Sequence, residues 1–225
     1  MCFGKEEYFV DTKIKLKELV KNNVSCYILT DNPNYFSDLN VNIVSYDRNI
    51  KSYHDKILLI KHILKIHDIC ILLDADMLVT DNSYINILKN YEFGNGITYI
   101  DTLGSHPANK MFIKQFGMNP ENKDWYNYRK YIESVCSQYL DFETIYEYFL
   151  VVKKESITDN FYKIYEKLQV IKESCDILSY DKDIIGAGEG ISLQISANVS
   201  NCEIRRDEKL YEILKSKIKN INRNR

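Results

Sequence analysis

The chain is predicted to fold as a mixed α/β protein, a mostly parallel sheet flanked by helices. Three observations predict it. Short apolar, β-rich runs alternate with amphipathic stretches through the first hundred residues. The runs are apolar on both faces rather than alternating, as in strands covered on both sides. Two of them end in polar clusters, Asp31-Asn32-Pro33 and Asp74 to Asp76, which are turn signals.

The elements follow in order. A helical stretch from Glu6 to Asn22 carries Val10, Ile14, Leu19 and Val20. The run "VSCYILT" reads as the first strand and "VNIVSY" as the second. The amphipathic "SYHDKILLIKHILKIH" is a helix, and "ICILL" is a buried strand. Strands separated by helices in this way build a parallel sheet. Beyond them, "ITYID" is a further strand. The stretch from Leu103 to Tyr139, with the single tryptophan Trp125, reads as loops and short helices.

"YEYFLVVKK" is then a strand and "SITDNFYKIYEKL" a helix. Ser156 three residues ahead of Asp159 is its predicted cap. Phe161, Ile164, Tyr165 and Leu168 recur at helical spacing and mark its buried face. "GAGEGISLQISANVS" is a glycine-rich turn feeding a helix of small residues. From Asp207 onward the tail is helical, with Leu210, Ile213 and Leu214 on one side.

Composition narrows the function. With 30 basic and 32 acidic side chains the formal charge is −2, so no global field favours nucleic acid. Three prolines and eight glycines in 225 residues leave no room for a long linker, and residues 1–225 read as a single domain. The start "MCFGKEEYF" lacks the basic and apolar regions of a signal peptide. No apolar run reaches the ~20 residues of a membrane span. Six scattered cysteines show no metal-ligand spacing and read as free thiols in a reducing compartment. A cytoplasmic protein is the expectation.

The chemistry concentrates in "ICILLDADMLVTDN". Carboxylates at the end of a buried strand carry a desolvation cost unless a cation meets them. In open α/β sheets ligands bind beyond the carboxyl ends of the strands, and Asp31 also lies at such an end. Asp74 and Asp76, turned inward together, suit a hard dication such as Mn²⁺ or Mg²⁺, which keeps positions for water and phosphate oxygens. The competing explanation is a solvated turn with Asp76 or Asp81 capping the next helix.

The stretch "KILLIKHILKIHDICILLDADMLV" resembles nucleotide-sugar-dependent glycosyltransferases of the GT-A fold, whose D-x-D motif follows a helix and a buried strand in this way. The likeness extends to the retaining galactosyl and N-acetylgalactosaminyl transferases of the blood-group type. That family opens with a Phe and, five residues on, a Tyr near the nucleotide, the spacing of Phe3 and Tyr8. Its strand ending Phe-Thr-Asp-x-Pro parallels "ILTDNP", Ile28 to Pro33, and its metal motif ends in Asp-Met, as Asp76-Met77 does.

The resemblance implies a Rossmann-like, nucleotide-sugar-binding half at 1–101 and an irregular, acceptor-binding and catalytic half at 102–225. It implies Mn²⁺ (or Mg²⁺) on Asp74 and Asp76, and a UDP-sugar donor near Phe3, Tyr8, Asp31, Lys61 and Asp74. Lys61 stands for an arginine of the family's helix near the donor sugar, with Lys56 also on that helix. The acceptor implied is a glycan or lipid-linked saccharide, and the reaction is hexose transfer with retention.

Two glutamates compete for catalysis. Where the family has His-Asp-Glu-Ser-His-Leu-Asn, this chain has "GAGEGISLQ". Matching Leu193-Gln194 to Leu-Asn gives Glu189 the first acidic position and Gly190 the second. Glu147, ahead of "YFLVV", is the other candidate. Either carboxylate could act as a base or stabilise an oxocarbenium-like centre. The basic, amphipathic tail could rest on an anionic membrane, although a docked surface helix is the commoner use. A different chemistry also fits the motif: a haloacid-dehalogenase-type, Mg²⁺-dependent phosphatase using Asp74/Asp76, with Asp181 and Asp183 as its later acidic pair.

Overall fold

A computed structural model describes residues 1–3, 6–44, 46, 51–52, 55–75, 77–100, 149–174, 184–185 and 189–220. The fold is mixed α/β. Helix α1 (Glu6–Lys21) precedes β1 (Tyr27–Leu29) and β2 (Asn42–Val44). After β3 (Lys51–Ser52) come α2 (Lys56–Leu64), β4 (Ile69–Leu73), β5 (Met77–Val79), α3 (Ser83–Asn90) and β6 (Ile97–Tyr99). The later part supplies β7 (Phe149–Lys153), α4 (Asp159–Ser174), β8 (Ile184–Ile185), α5 (Glu189–Ser200), β9 (Ile204–Arg206), α6 (Glu208–Leu214) and β10 (Ile218–Asn220).

The alternation read in the sequence holds, but strand direction departs from it. β1 and β2 pair in parallel. The largest sheet has the order β4-β7-β6-β9, and β7 runs antiparallel to both of its neighbours. Only β6 and β9 are parallel within it. Direction is set by where the chain re-enters the sheet, and the long segment 100–148 between β6 and β7 leaves either direction open. Apolar content alone does not encode that.

The core confirms one helical face and relocates two signals. Phe161, Tyr165 and Leu168 are almost wholly buried and Ile164 nearly so, as their spacing predicts. On α1 the buried residues are Phe9, Thr12, Lys15 and Leu16, whereas Ile14 is 58% exposed. The α4 cap is not Ser156. The Thr158 hydroxyl accepts from the Phe161 amide at 3.3 Å, while Ser156 takes the Gly96 amide at 2.7 Å.

The tail is not one helix. After α6 it extends as β10, antiparallel to β5. Leu210 and Leu214 are fully buried, so the apolar side of α6 lies against the core, the docked arrangement. No helix among the described residues is long and apolar enough to cross a membrane. Cys2, Cys26, Cys70 and Cys202 are free and buried.

Candidate functional site

The site grows from the end of β4. The strand expected to be buried throughout buries only Cys70 and Leu72 and leaves Ile69 and Ile71 exposed, then turns after Leu73 through Asp74 and Ala75 into Met77, whose amide donates back to the Asp74 carbonyl at 3.2 Å. Such a tight turn points several carbonyls to one side. Lys15, on the buried face of α1, fills that concavity. Its Nζ donates to the carbonyls of Met77 at 2.8 Å and Asp74 at 3.2 Å, and to that of Ala75 as well. A charged donor shared among several acceptors fixes the turn more firmly than a neutral one.

The Asp74 carboxylate has its own cation. Lys56 Nζ lies 2.9 Å from Asp74 Oδ2, with side-chain exposures of 5% for Lys56 and 17% for Asp74. Lys56 opens α2, and the residue before it anchors the helix start. Asp55, wholly buried, accepts from the Tyr46 hydroxyl at 2.6 Å and from Gln169 Nε2 at 2.7 Å. The anchoring therefore runs from α4 through Asp55 to the base of α2, and Lys56 delivers a positive charge to the turn.

The end of β1 lies beside this turn. The Cys2 amide donates to the Leu29 carbonyl at 2.9 Å, and Cys2 bridges to Thr30 in parallel. Burial pushes the Cys2 thiol up, and the charges of Lys15 and Asp31 both reach it. Asp31 is exposed. Phe3 is 3% exposed and packs in the core, its ring tilted against Tyr46 at 4.8 Å. Tyr8, in the first part of α1, is half-buried against the cluster of Phe9, Ile28 and Phe36.

Lys61 does not join the group. Five residues along an α-helix turn by about 140°, which aims Lys61 away from Lys56. It pairs with Glu166 at 3.1 Å and sits 4.9 Å from the centre of the Tyr162 ring. Lys56 holds the position beside Asp74 instead. Glu189 is the first residue of α5; its side chain, like Asp76, Glu147, Asp181 and Asp183, lies outside the described residues. Among the described residues no three metal-ligating side chains come together.

The far side of the turn is clamped by the tail. β5 pairs with β10, the Thr80 amide donates to the Lys217 carbonyl at 2.7 Å, and Lys217 meets Asp81 at 2.6 Å. Asp81 also accepts from the Ser83 amide at 2.8 Å. The Lys217 contact first, and then those of Ser83, hold the Asp81 carboxyl well below its ordinary range.

Sequence reasoning missed Lys15. Its signal was a lysine on the same helical face as Thr12, Leu16 and Leu19. Fold and site together define an α/β protein with a cation-braced acidic turn at the carboxyl end of β4. No protein-family model matches the chain, and a search of curated proteins finds no match.

Proposed function

We propose that the protein is a metal-dependent glycosyltransferase that moves a hexose from a UDP-sugar to a glycan or glycolipid acceptor, with retention. The observation that carries this reading is the braced turn: Lys15 holds its carbonyls and Lys56 its first carboxylate. In a GT-A arrangement this turn would form the ligand edge, and a nucleotide diphosphate is the ligand that oxygen donors and ammonium groups suit together. The donor set is all oxygen, Asp74 with Asp76 next but one, which fits Mn²⁺ or Mg²⁺. When bound, such an ion would stabilise the charge of a departing diphosphate.

Lys56 serves two partners in this reading. It neutralises Asp74 in the resting protein and lends positive charge to the same cleft where phosphate oxygens arrive. Lys61 serves helix packing instead. Glu189 and Glu147 remain the candidates for the carboxylate that meets the sugar. A screen of UDP-hexoses with Mn²⁺ tests the reading. Release of UDP from at least one donor supports it. Turnover of p-nitrophenyl phosphate without any UDP release favours the phosphatase chemistry.

A further inference from the structure

A cavity of about 410 Å³ separates β1 from β4. Its walls are mostly apolar, among them Leu16, Ile28, Leu59, Leu72 and Ile85, and Met1, whose amino group feels the charge of Asp74, lines it together with Asp74. The backbone geometry on both sides is informative. Asn42 N donates to Cys26 O, so by alternation the N–H and C=O of Ile28 turn toward β2 and those of Tyr27 and Leu29 toward the opposite edge of β1. On that edge the Leu29 carbonyl accepts from the Cys2 amide.

The same counting applies to β4. Lys154 N donates to Asp68 O, and the pairing with β7 keeps that register. Cys70 and Leu72 therefore bond to β7, and the N–H and C=O groups of Ile69, Ile71 and Leu73 turn the other way. Among the described residues no strand pairs with that edge of β4, and Cys2 alone bridges to that side of β1. Ile69 and Ile71 are 41% and 39% exposed, unusual for so apolar a strand. Two strand edges thus face one apolar slot, and Cys2 already sets a parallel register at one end of it.

We propose that this slot accepts, as an added strand, an extended, apolar polypeptide segment that leads directly into Met1. The segment runs parallel to β1 in the register that Cys2 sets, and joins β2-β1 to β4-β7-β6-β9 as one continuous sheet. Main-chain hydrogen bonds supply the attraction and the apolar walls select the side chains. A compact organic ligand would leave the edge N–H groups unsatisfied, which buried backbone rarely tolerates. The added strand would end at Met1 and Cys2, beside Asp74, and so stiffen the site.

The test reads amide hydrogen exchange in three proteins. One is the 225-residue chain, one carries five residues Lys-Val-Ile-Val-Ser ahead of Met1, and one carries the same extension with prolines at its second and fourth positions. The expected result is exchange at least tenfold slower at Tyr27, Ile69 and Ile71 with the apolar extension, and unchanged with the proline form. Unchanged exchange with the apolar extension overturns the proposal. So does equal slowing by both extensions, which means covering without strand pairing. Loss of protection at Leu150 and Val152, in the established sheet, overturns it as well, because the segment then disrupts rather than completes the fold.

Discussion

Lys56 and Asp74 meet at 2.9 Å across the gap between the start of α2 and the end of β4, both largely removed from water. A buried pair is no guarantee of net stability, but breaking one side leaves an uncompensated charge. Lys56→Met is therefore expected to destabilise the protein by about 3 kcal/mol. The double variant Lys56→Met/Asp74→Asn should lose clearly less than the sum of the single changes. Urea unfolding of the four proteins measures the coupling directly.

Lys15 braces the backbone of the same turn rather than its side chain. Lys15→Met removes a charged donor from several carbonyls, an expected cost of about 2–3 kcal/mol. Affinity for UDP in the presence of Mn²⁺ should fall with it, even though no ligand group is deleted. Lys61→Met, by contrast, removes a half-exposed ion pair with Glu166 and a contact with the Tyr162 ring, and should change stability by less than about 1 kcal/mol. Calorimetric titration of the two variants separates a brace from a surface pair.

The tail's contact with β5 makes a further prediction. Ending the chain after Leu214 deletes β10 and the Lys217–Asp81 pair, which frees the strand that leaves the acidic turn. The shortened protein should keep its far-ultraviolet circular dichroism and lose at least tenfold in Mn²⁺-dependent affinity for UDP. Retained affinity would show that the turn is held from the Lys15 side alone.

Gly96 is fixed by its surroundings. Its φ is +86°, and a Cβ there would stand 2.1 Å from the Glu203 carbonyl oxygen. Gly96→Ala should cost at least about 2 kcal/mol, from the left-handed backbone and the displaced β9 approach together. At Gly94 the nearest atoms belong to the movable end of Arg205, so Gly94→Ala should be the milder change. Thermal melts of the two variants rank them.

Alkaline pH should weaken the fold. The Tyr91 hydroxyl donates to both oxygens of Asp207. Burial first, and then that contact, push it from 10.0 up to about 12. Burial pushes Cys70 from 9.0 up to about 12, and Cys26 and Cys202 up to about 11. Each group holds its proton more tightly when folded, so its contribution is intact below pH 9 and is lost as pH rises from 9 toward 12. Denaturant midpoints measured from pH 8 to 11 should fall steadily above pH 9.

Some of this was readable from residues alone. β4 appeared with its observed bounds, Ile69 to Leu73, because a five-residue apolar run between a helix and two acids has few other uses. The buried face of α4 was equally plain. Strand direction was hidden, since it depends on where the chain re-enters the sheet after residue 100. The site was half legible: the acidic turn could be seen, its cations could not. Lys56 and Lys61 share one helix, and only the helix's orientation in space decides which one reaches Asp74. Lys15 lies 59 residues from Asp74 in the chain, beyond the reach of any local pattern.

Isothermal titration of UDP into the protein, with and without Mn²⁺, and again with Asp74→Asn and Asp76→Asn, bears most directly on the braced acidic turn as a metal–diphosphate site. Metal-dependent UDP binding that either substitution abolishes is the predicted result. Binding that ignores both the metal and the two aspartates, or no binding at all, would contradict it.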